Sequence, residues 1–121
     1  MLKVVILIRR KVGTTPEEFR RHYEERHVPL ILRHVGSCFA DYRRSYPGKI
    51  LAAVAVQPDA LDFDVVTEIW VKDQATLDEM FRRASIPEIA AEIAGDEETF
   101  IDRKAVRMFL ADEFGLARAH Q

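Results

Sequence analysis

Cysteine is nearly absent from this 121-residue chain, which contains Cys38 alone. A single cysteine forms no internal disulfide, and neither Cys-x-x-Cys nor His-Glu-x-x-His spacing occurs, so the sequence predicts no metal site. Because no base or cationic neighbour is identifiable for Cys38, we interpret it as a small buried residue rather than a nucleophile. This cysteine usage suits a reducing compartment, and we expect a cytoplasmic protein.

Long apolar runs and an excess of one charge are also missing. Val4–Ile8 is too short for the core of a signal peptide, and no run approaches the ~20 apolar residues of a membrane helix. The chain has 18 Lys and Arg residues against 20 Asp and Glu residues, a formal net charge of −2. Its one concentrated basic run, Arg9–Lys11, is typical of a solvated loop. We therefore expect neither a membrane nor a nucleic acid as a partner.

Glycine is sparse as well, with five residues in the chain. The sequence contains no Gly-rich loop that would hold the phosphates of a nucleotide and no Gly-x-Ser-x-Gly elbow for a serine nucleophile, since Gly13 stands alone in a predicted turn. We expect no bound cofactor. The composition, 48% apolar and 31% charged residues, indicates a single folded domain.

The pattern of apolar residues predicts alternating strands and helices. Strands are expected at residues 2–8, 40–46, 65–71 and 105–111, and helices from Pro16, around residues 77–84, and from Pro87 to Gly95. Residues 50–56 fit a strand, a hairpin arm or a covering segment. The order β-α-β-β-α-β predicts an α+β, ferredoxin-like sandwich with helices on one face of an antiparallel sheet. We assign residues 1–112 to this domain and residues 113–121 to a C-terminal tail.

The first helix has a well-defined start and an unusual inner face. Thr15 is expected to cap it, with Pro16 at its first position and Glu18 completing a capping box. Pro29 removes a backbone N–H, so the helix should kink or restart just beyond His27, where a side chain can reach a cavity. At about 100° per residue, the residues expected on the inner face are Phe19, Tyr23, Arg26, His27, Leu30 and His34.

The first and last strands are apolar on both faces, and one layer of helices can cover only one of them. We expect a second copy of the chain to cover the other face with two-fold symmetry, giving a homodimer whose two sheets enclose a barrel-like core. The residues expected in this interface are Val4, Ile6, Ile8, Val106 and Met108.

Glu68 is an unusual residue on the third predicted strand. It lies between Val66 and Trp70, where a carboxylate without a partner is costly to bury. Two interpretations stay open: Glu68 is an acid of a pocket, or it forms a salt bridge with an arginine such as Arg44 or Arg107 on a neighbouring strand.

Four segments of the chain resemble the EthD family of dimeric α+β barrel proteins. They are KVVILIRRK, TPEEFRRHYEERHVPLI, TEIWVKDQATLDEMF and DEETFIDRKAVRMFL. The resemblance implies a ferredoxin-like protomer that pairs into a dimeric α+β barrel. The family is similar to cofactor-free muconolactone isomerases and to fungal proteins that decarboxylate or dehydrate aromatic polyketides, and its founding member is an accessory protein of ether degradation.

The resemblance also suggests where a site would lie. His27 matches the helix histidine of the family, and Tyr42 matches a tyrosine on the second strand of the isomerase-like members. With an ordinary pKa of ~6.5, His27 can act as an acid or a base near neutral pH. Our candidate catalytic residues are His27, Tyr42 and Glu68. Our candidate ligand-binding residues are Phe19, Tyr23, Arg26 and Trp70.

Three functions fit these observations. The leading hypothesis is a cofactor-free enzyme that acts by acid/base proton transfer, as an isomerase, decarboxylase or dehydratase, on a small cyclic or aromatic compound in a barrel pocket. The alternative is a non-enzymatic protein that binds a small organic ligand or assists an oxidative catabolic pathway. A third hypothesis is haem binding through the helix histidine, as in some other dimeric α+β barrels.

Overall fold

The computed structural model describes residues 1–51 and 61–116. Its sheet contains the strands β1 (Leu2–Ile8), β2 (Asp41–Ser45), β3 (Val65–Val71) and β4 (Arg107–Ala111). They lie in the order β2-β3-β1-β4, and each neighbouring pair is antiparallel. This arrangement confirms the α+β, ferredoxin-like fold that the sequence predicts.

The helical segments connect these strands. They are α1 (Pro16–His22), a π-helical turn (Tyr23–His27), α2 (Val28–Val35), α3 (Gln74–Ala84) and α4 (Pro87–Phe100). The predicted start of α1 is confirmed, because Thr15 Oγ1 accepts the Glu18 N–H at 3.1 Å and Glu18 Oε1 accepts the Thr15 N–H at 3.0 Å. This reciprocal capping box satisfies two backbone donors that the helix itself cannot pair.

The helices pack on one face of the sheet, the face that was predicted to meet a second copy. Val4 and Ile8 were predicted to meet a second copy, yet both are buried in the core beneath the helices. Ile6 also packs against this core, and Met108 lies opposite Ile6 in the register. The prediction is therefore wrong for Val4, Ile6 and Ile8, and also for Val106, which packs against the same core, whereas Met108 is 49% exposed. The open face carries Val5, Leu7, Val66, Glu68, Trp70 and Phe109.

A second correction concerns α4, which was predicted to end at Gly95 and instead continues to Phe100. A Cβ added at Gly95 would have nothing within 4 Å, and the φ angle of this residue is not positive. Glycine is thus an ordinary, if weak, helix residue at this position. The continuation places Asp96 on a helix that packs against α1.

Some sequence predictions fall at the borders of the described residues. The segment at residues 50–56 lies mostly outside them, because residues 52–60 and 117–121 are not described. Within the predicted tail, Glu113 lies against the sheet and accepts a hydrogen bond from Trp70 Nε1 at 2.9 Å. Among the residues that the structure describes, no helix has both the length and the apolarity to cross a membrane.

Candidate functional site

His27 owes its position to the π-helical turn between α1 and α2. The Val28 N–H bonds back to the Tyr23 carbonyl, five residues earlier, and Pro29 follows within the first turn of α2. Because Pro29 has no N–H to donate, the wider turn absorbs the missing bond, so the helix restarts after His27 as predicted. Tyr23 and His27 are both buried. Such single π turns are frequent at functional sites.

The imidazole of His27 is held by a carboxylate on α4. Its Nδ1 lies 3.0 Å from Asp96 Oδ2, and the residue is only 5% exposed. Because a carboxylate accepts, Nδ1 carries the hydrogen and the lone pair of the neutral ring is on Nε2. Burial lowers the pKa of His27 below its ordinary value, while Asp96 opposes that shift. The ring is therefore neutral at pH 7, and its Nε2 lone pair is available to accept a proton.

Asp96 binds a second histidine as well. His22 Nε2 donates to Asp96 Oδ1 at 2.8 Å, and the His22 ring stacks on Phe100 with centroids 4.1 Å apart. This carboxylate was not predicted to face His27, because the helix was predicted to end at Gly95 and instead continues to Phe100. Continuing the helical periodicity would have placed Asp96 and Phe100, four residues apart, on one face toward α1.

Tyr42 lies near His27 but is separated from it by Tyr23. The Tyr23 hydroxyl is 2.5 Å from Thr67 Oγ1, and the Tyr23 ring meets the His27 ring at 5.1 Å. Burial raises the pKa of Tyr23 to about 12, and burial together with the Tyr23 hydroxyl raises the pKa of Tyr42. Both phenols stay protonated near neutral pH and can donate hydrogen bonds. The structure thus places the two predicted residues in one cluster without direct contact.

Glu68 lies on the opposite side of the sheet from His27. Its carboxylate pairs with Lys3 Nζ at 2.6 Å, so the salt-bridge interpretation identifies the right kind of contact but not the right partner. Arg44 pairs instead with Glu24. Trp70 shares the open face with Glu68, and Lys3 lies 4.9 Å from the centroid of its ring. Neither Glu68 nor Trp70 is placed to act with His27 inside one chain.

A groove of about 1210 Å³ opens beside α1, and Phe19 is the one predicted ligand-binding residue that lines it. Tyr23 is buried behind Phe19, with ring centroids 5.8 Å apart. Arg26 was predicted on the inner face of the helix but is exposed. His27 is not among the described residues that line the groove. The groove and the buried histidine are therefore neighbouring but distinct features.

A polar network includes two residues that line this groove, Glu24 and Tyr46. Arg44 donates to both oxygens of Glu24, at 2.5 and 3.0 Å, and the Tyr46 hydroxyl donates to Glu24 at 2.6 Å. The bond from Arg44 is the main reason why the pKa of Glu24 is lowered. The guanidinium of Arg20 lies over the Tyr46 ring, 4.6 Å from its centroid. An aromatic or anionic small molecule would find both apolar and cationic contacts in this groove.

Metal ligation finds no support in the described part of the chain. No group of three or more His, Cys, Asp or Glu side chains within residues 1–51 and 61–116 is placed to hold an ion. The His22–Asp96–His27 cluster brings together two nitrogens and one carboxylate through mutual hydrogen bonds rather than around a shared centre.

Comparison with protein families matches the model of the EthD domain to residues 11–104. An EthD family protein from Bacillus halodurans has 18% identity and a TM-score of 0.62, with 94% of this chain and 100% of that chain covered. An EthD-like protein from Ralstonia eutropha has 18% identity and a TM-score of 0.62, with 99% and 96% covered.

SnoaB, a cofactor-independent oxygenase from Streptomyces nogalater, is more distant. It has 13% identity and a TM-score of 0.52, with 96% of this chain and 97% of that chain covered. No curated protein matches the sequence. At these identities the solved structures support the fold alone, whereas the family match spans most of the chain.

Proposed function

This chain belongs to the EthD domain family, and we propose that it is a cofactor-free enzyme that moves protons on a small cyclic or aromatic compound. The family and the fold shared with SnoaB are compatible with cofactor-free enzymatic or small-ligand function. The observation that carries the proposal is the buried pair of His27 Nδ1 and Asp96 Oδ2, 3.0 Å apart. A carboxylate behind an imidazole fixes the tautomer and stabilises the cation that forms when the ring accepts a proton.

The proposed chemistry begins at His27 Nε2. This nitrogen takes a proton from a carbon next to a carbonyl or from a phenol, and Asp96 stabilises the resulting imidazolium. Tyr42, which stays protonated, donates a hydrogen bond to the oxygen that gains negative charge. The same Nε2 then returns the proton to the product, so the ring ends the cycle neutral. Isomerisation, decarboxylation and dehydration all use such a step, for which one positioned base contributes ~10²–10⁴-fold.

The second candidate function is binding without turnover. It is favoured by the groove beside α1, whose lining includes Phe19, Arg20 and Tyr46 but not His27. A ligand held at this groove would contact two aromatic rings and a guanidinium without touching the imidazole. Such a protein would carry a small organic ligand or assist an oxidative catabolic pathway.

We also propose that the working unit is a cytoplasmic homodimer. The open face of the sheet carries apolar side chains, and Phe109 is 46% exposed. Covering this face with the same face of a second copy would bury it with two-fold symmetry. The salt bridge between Lys3 and Glu68 would then lie inside the interface, where a paired carboxylate is tolerated.

The test is a screen of lactones and phenolic acids with the wild type and the His27→Asn variant. Asparagine keeps a polar side chain, so we expect the fold and ligand binding to survive while turnover falls by ~10²-fold or more. His34→Asn is a matched control, because His34 pairs with Glu92 away from the cluster. Unchanged turnover together with a lower melting temperature in His27→Asn would show that the histidine is structural, and the binding function would then lead.

A further inference from the structure

One carboxylate serves two imidazoles in this protein. Asp96 on α4 accepts the His22 Nε2–H at one oxygen and the His27 Nδ1–H at the other, at 2.8 and 3.0 Å. Both oxygens of Asp96 are thus engaged by rings from the same helical segment, five residues apart in sequence. Two cations on one carboxylate would repel each other, because Asp96 can neutralise only one positive charge.

The two rings differ in their access to water. The side chain of His27 is 6% exposed, whereas that of His22 is 24% exposed. Taking an imidazolium out of water is costly, so the more deeply buried ring of His27 resists a positive charge. The charge of His22 is also one of the causes that lower the pKa of His27.

Tyr23 and Glu97 are titratable groups that adjoin His27 and Asp96 on the elements that carry the cluster. Tyr23 faces His27 from the π-helical turn with a hydroxyl whose pKa is raised by burial. Glu97 follows Asp96 on α4, and its carboxylate pairs with Arg103 at 3.4 Å. Burial raises the pKa of Glu97 and Arg103 opposes this shift. Neither group bonds a histidine ring in this structure, so Asp96 is the anion that both rings share.

We propose that His22 is a positioning residue for His27: it shares the Asp96 carboxylate, and a positive charge on its ring opposes a second positive charge on His27. A neutral His27 with its hydrogen on Nδ1 retains the Nε2 lone pair that a base needs. His22 therefore extends toward lower pH the range in which His27 can accept a proton. This inference deepens the proposed function, since it explains how the charge of the proposed base is controlled.

The test is a side-chain NMR titration of the histidines in the full chain, from about pH 5 to pH 8. Long-range correlations to ring nitrogens report both the protonation state and the tautomer of each ring. In the His22→Gln variant, glutamine still donates to Asp96 but carries no charge, so we expect the titration midpoint of His27 to rise. The matched control is His34→Gln, which removes a histidine outside the cluster and should leave this midpoint unchanged.

A second variant examines the shared anion. Asp96→Asn removes the negative charge, so the midpoint of His27 should fall and its preference for the Nδ1–H tautomer should weaken. If this variant does not fold, the comparison of His22→Gln with His34→Gln still decides. A midpoint of His27 that is the same in wild type, His22→Gln and His34→Gln would overturn the inference. The titration needs no substrate, so a failed activity screen would overturn the proposed function and leave this inference standing.

Discussion

The residues of the His22–Asp96–His27 cluster differ in how well the sequence could predict them. The position of His27 could be predicted, because the capped helix start, the apolar inner face and Pro29 together place this histidine on the buried side of the helix, just before a break. Asp96 was missed because a glycine next to it looked like a helix end, although nothing at that position requires one. The hydrogen bond between His27 and Asp96 joins side chains 69 positions apart, and no local pattern in a single sequence indicates such a contact.

The buried state of His27 leads to a prediction about stability and pH. Burial holds the pKa of His27 in the folded chain below the ordinary value of ~6.5, so on acidification the unfolded chain binds the proton first. The stabilising contribution is therefore fully present above about pH 6.5 and is lost as the pH falls toward the folded pKa. Urea unfolding of the wild type should show a steeper loss of unfolding free energy below about pH 6.5 than His27→Gln. Parallel pH dependences would contradict this account.

The helices and strands themselves were largely predictable, because their signals are local. The capping box of α1 and the restart after His27 follow from the chemistry of Thr15, Glu18 and Pro29 within a few residues. The π-helical form of the turn was not predicted, because the missing N–H of Pro29 shows where the helical bonding is interrupted but not how the backbone accommodates the interruption. The end of α4 was mispredicted because glycine was taken as a stop signal. A glycine ends a helix when it adopts a left-handed conformation after the last turn, and Gly95 does not have a positive φ angle.

Gly95 provides a direct test of this helical assignment. In Gly95→Ala the new methyl group meets open space in the middle of α4, so we expect the unfolding free energy to rise by about 0.5–1 kcal/mol. Gly13→Ala is the matched control, because Gly13 has a φ of +90° and alanine would be strained there. Urea unfolding measures both variants. A loss of stability in Gly95→Ala would mean that α4 does end where the sequence suggested.

For the molecule as a whole, the sequence predicted the layers and not their orientation. Alternation shows that β1 is apolar on both faces, yet Val4 and Val5 differ too little for a pattern to say which face the helices cover. The answer depends on register, where Val4 pairs with Ile69 and Val5 pairs with Glu68. The register places the salt bridge between Glu68 and Lys3 on the open face of the sheet. The histidine cluster lies on the other side, among the helices.

The open face carries the prediction about assembly. If a second copy covers it, light scattering at micromolar concentration should give about twice the monomer mass, and Phe109→Glu should reduce this to the monomer. Phe81→Glu is the matched control, because Phe81 is 44% exposed, close to the 46% of Phe109, but lies on α3. A monomeric wild type would end the dimer proposal, as would an equal effect of both variants.

The central claim is that His27 moves a proton, and the most direct measurement is exchange of that proton with solvent. Each lactone or phenolic acid that binds is incubated with the protein in D₂O, and deuterium incorporation into its carbon framework is followed by mass spectrometry. An imidazole that removes a C–H proton from the ligand exchanges that proton with D₂O and returns a deuteron to the same carbon. The wild type should therefore label its ligand with deuterium, while His27→Asn should label it ~10²-fold more slowly or not at all. Equal labelling by the two proteins, with binding intact in both, would contradict the account.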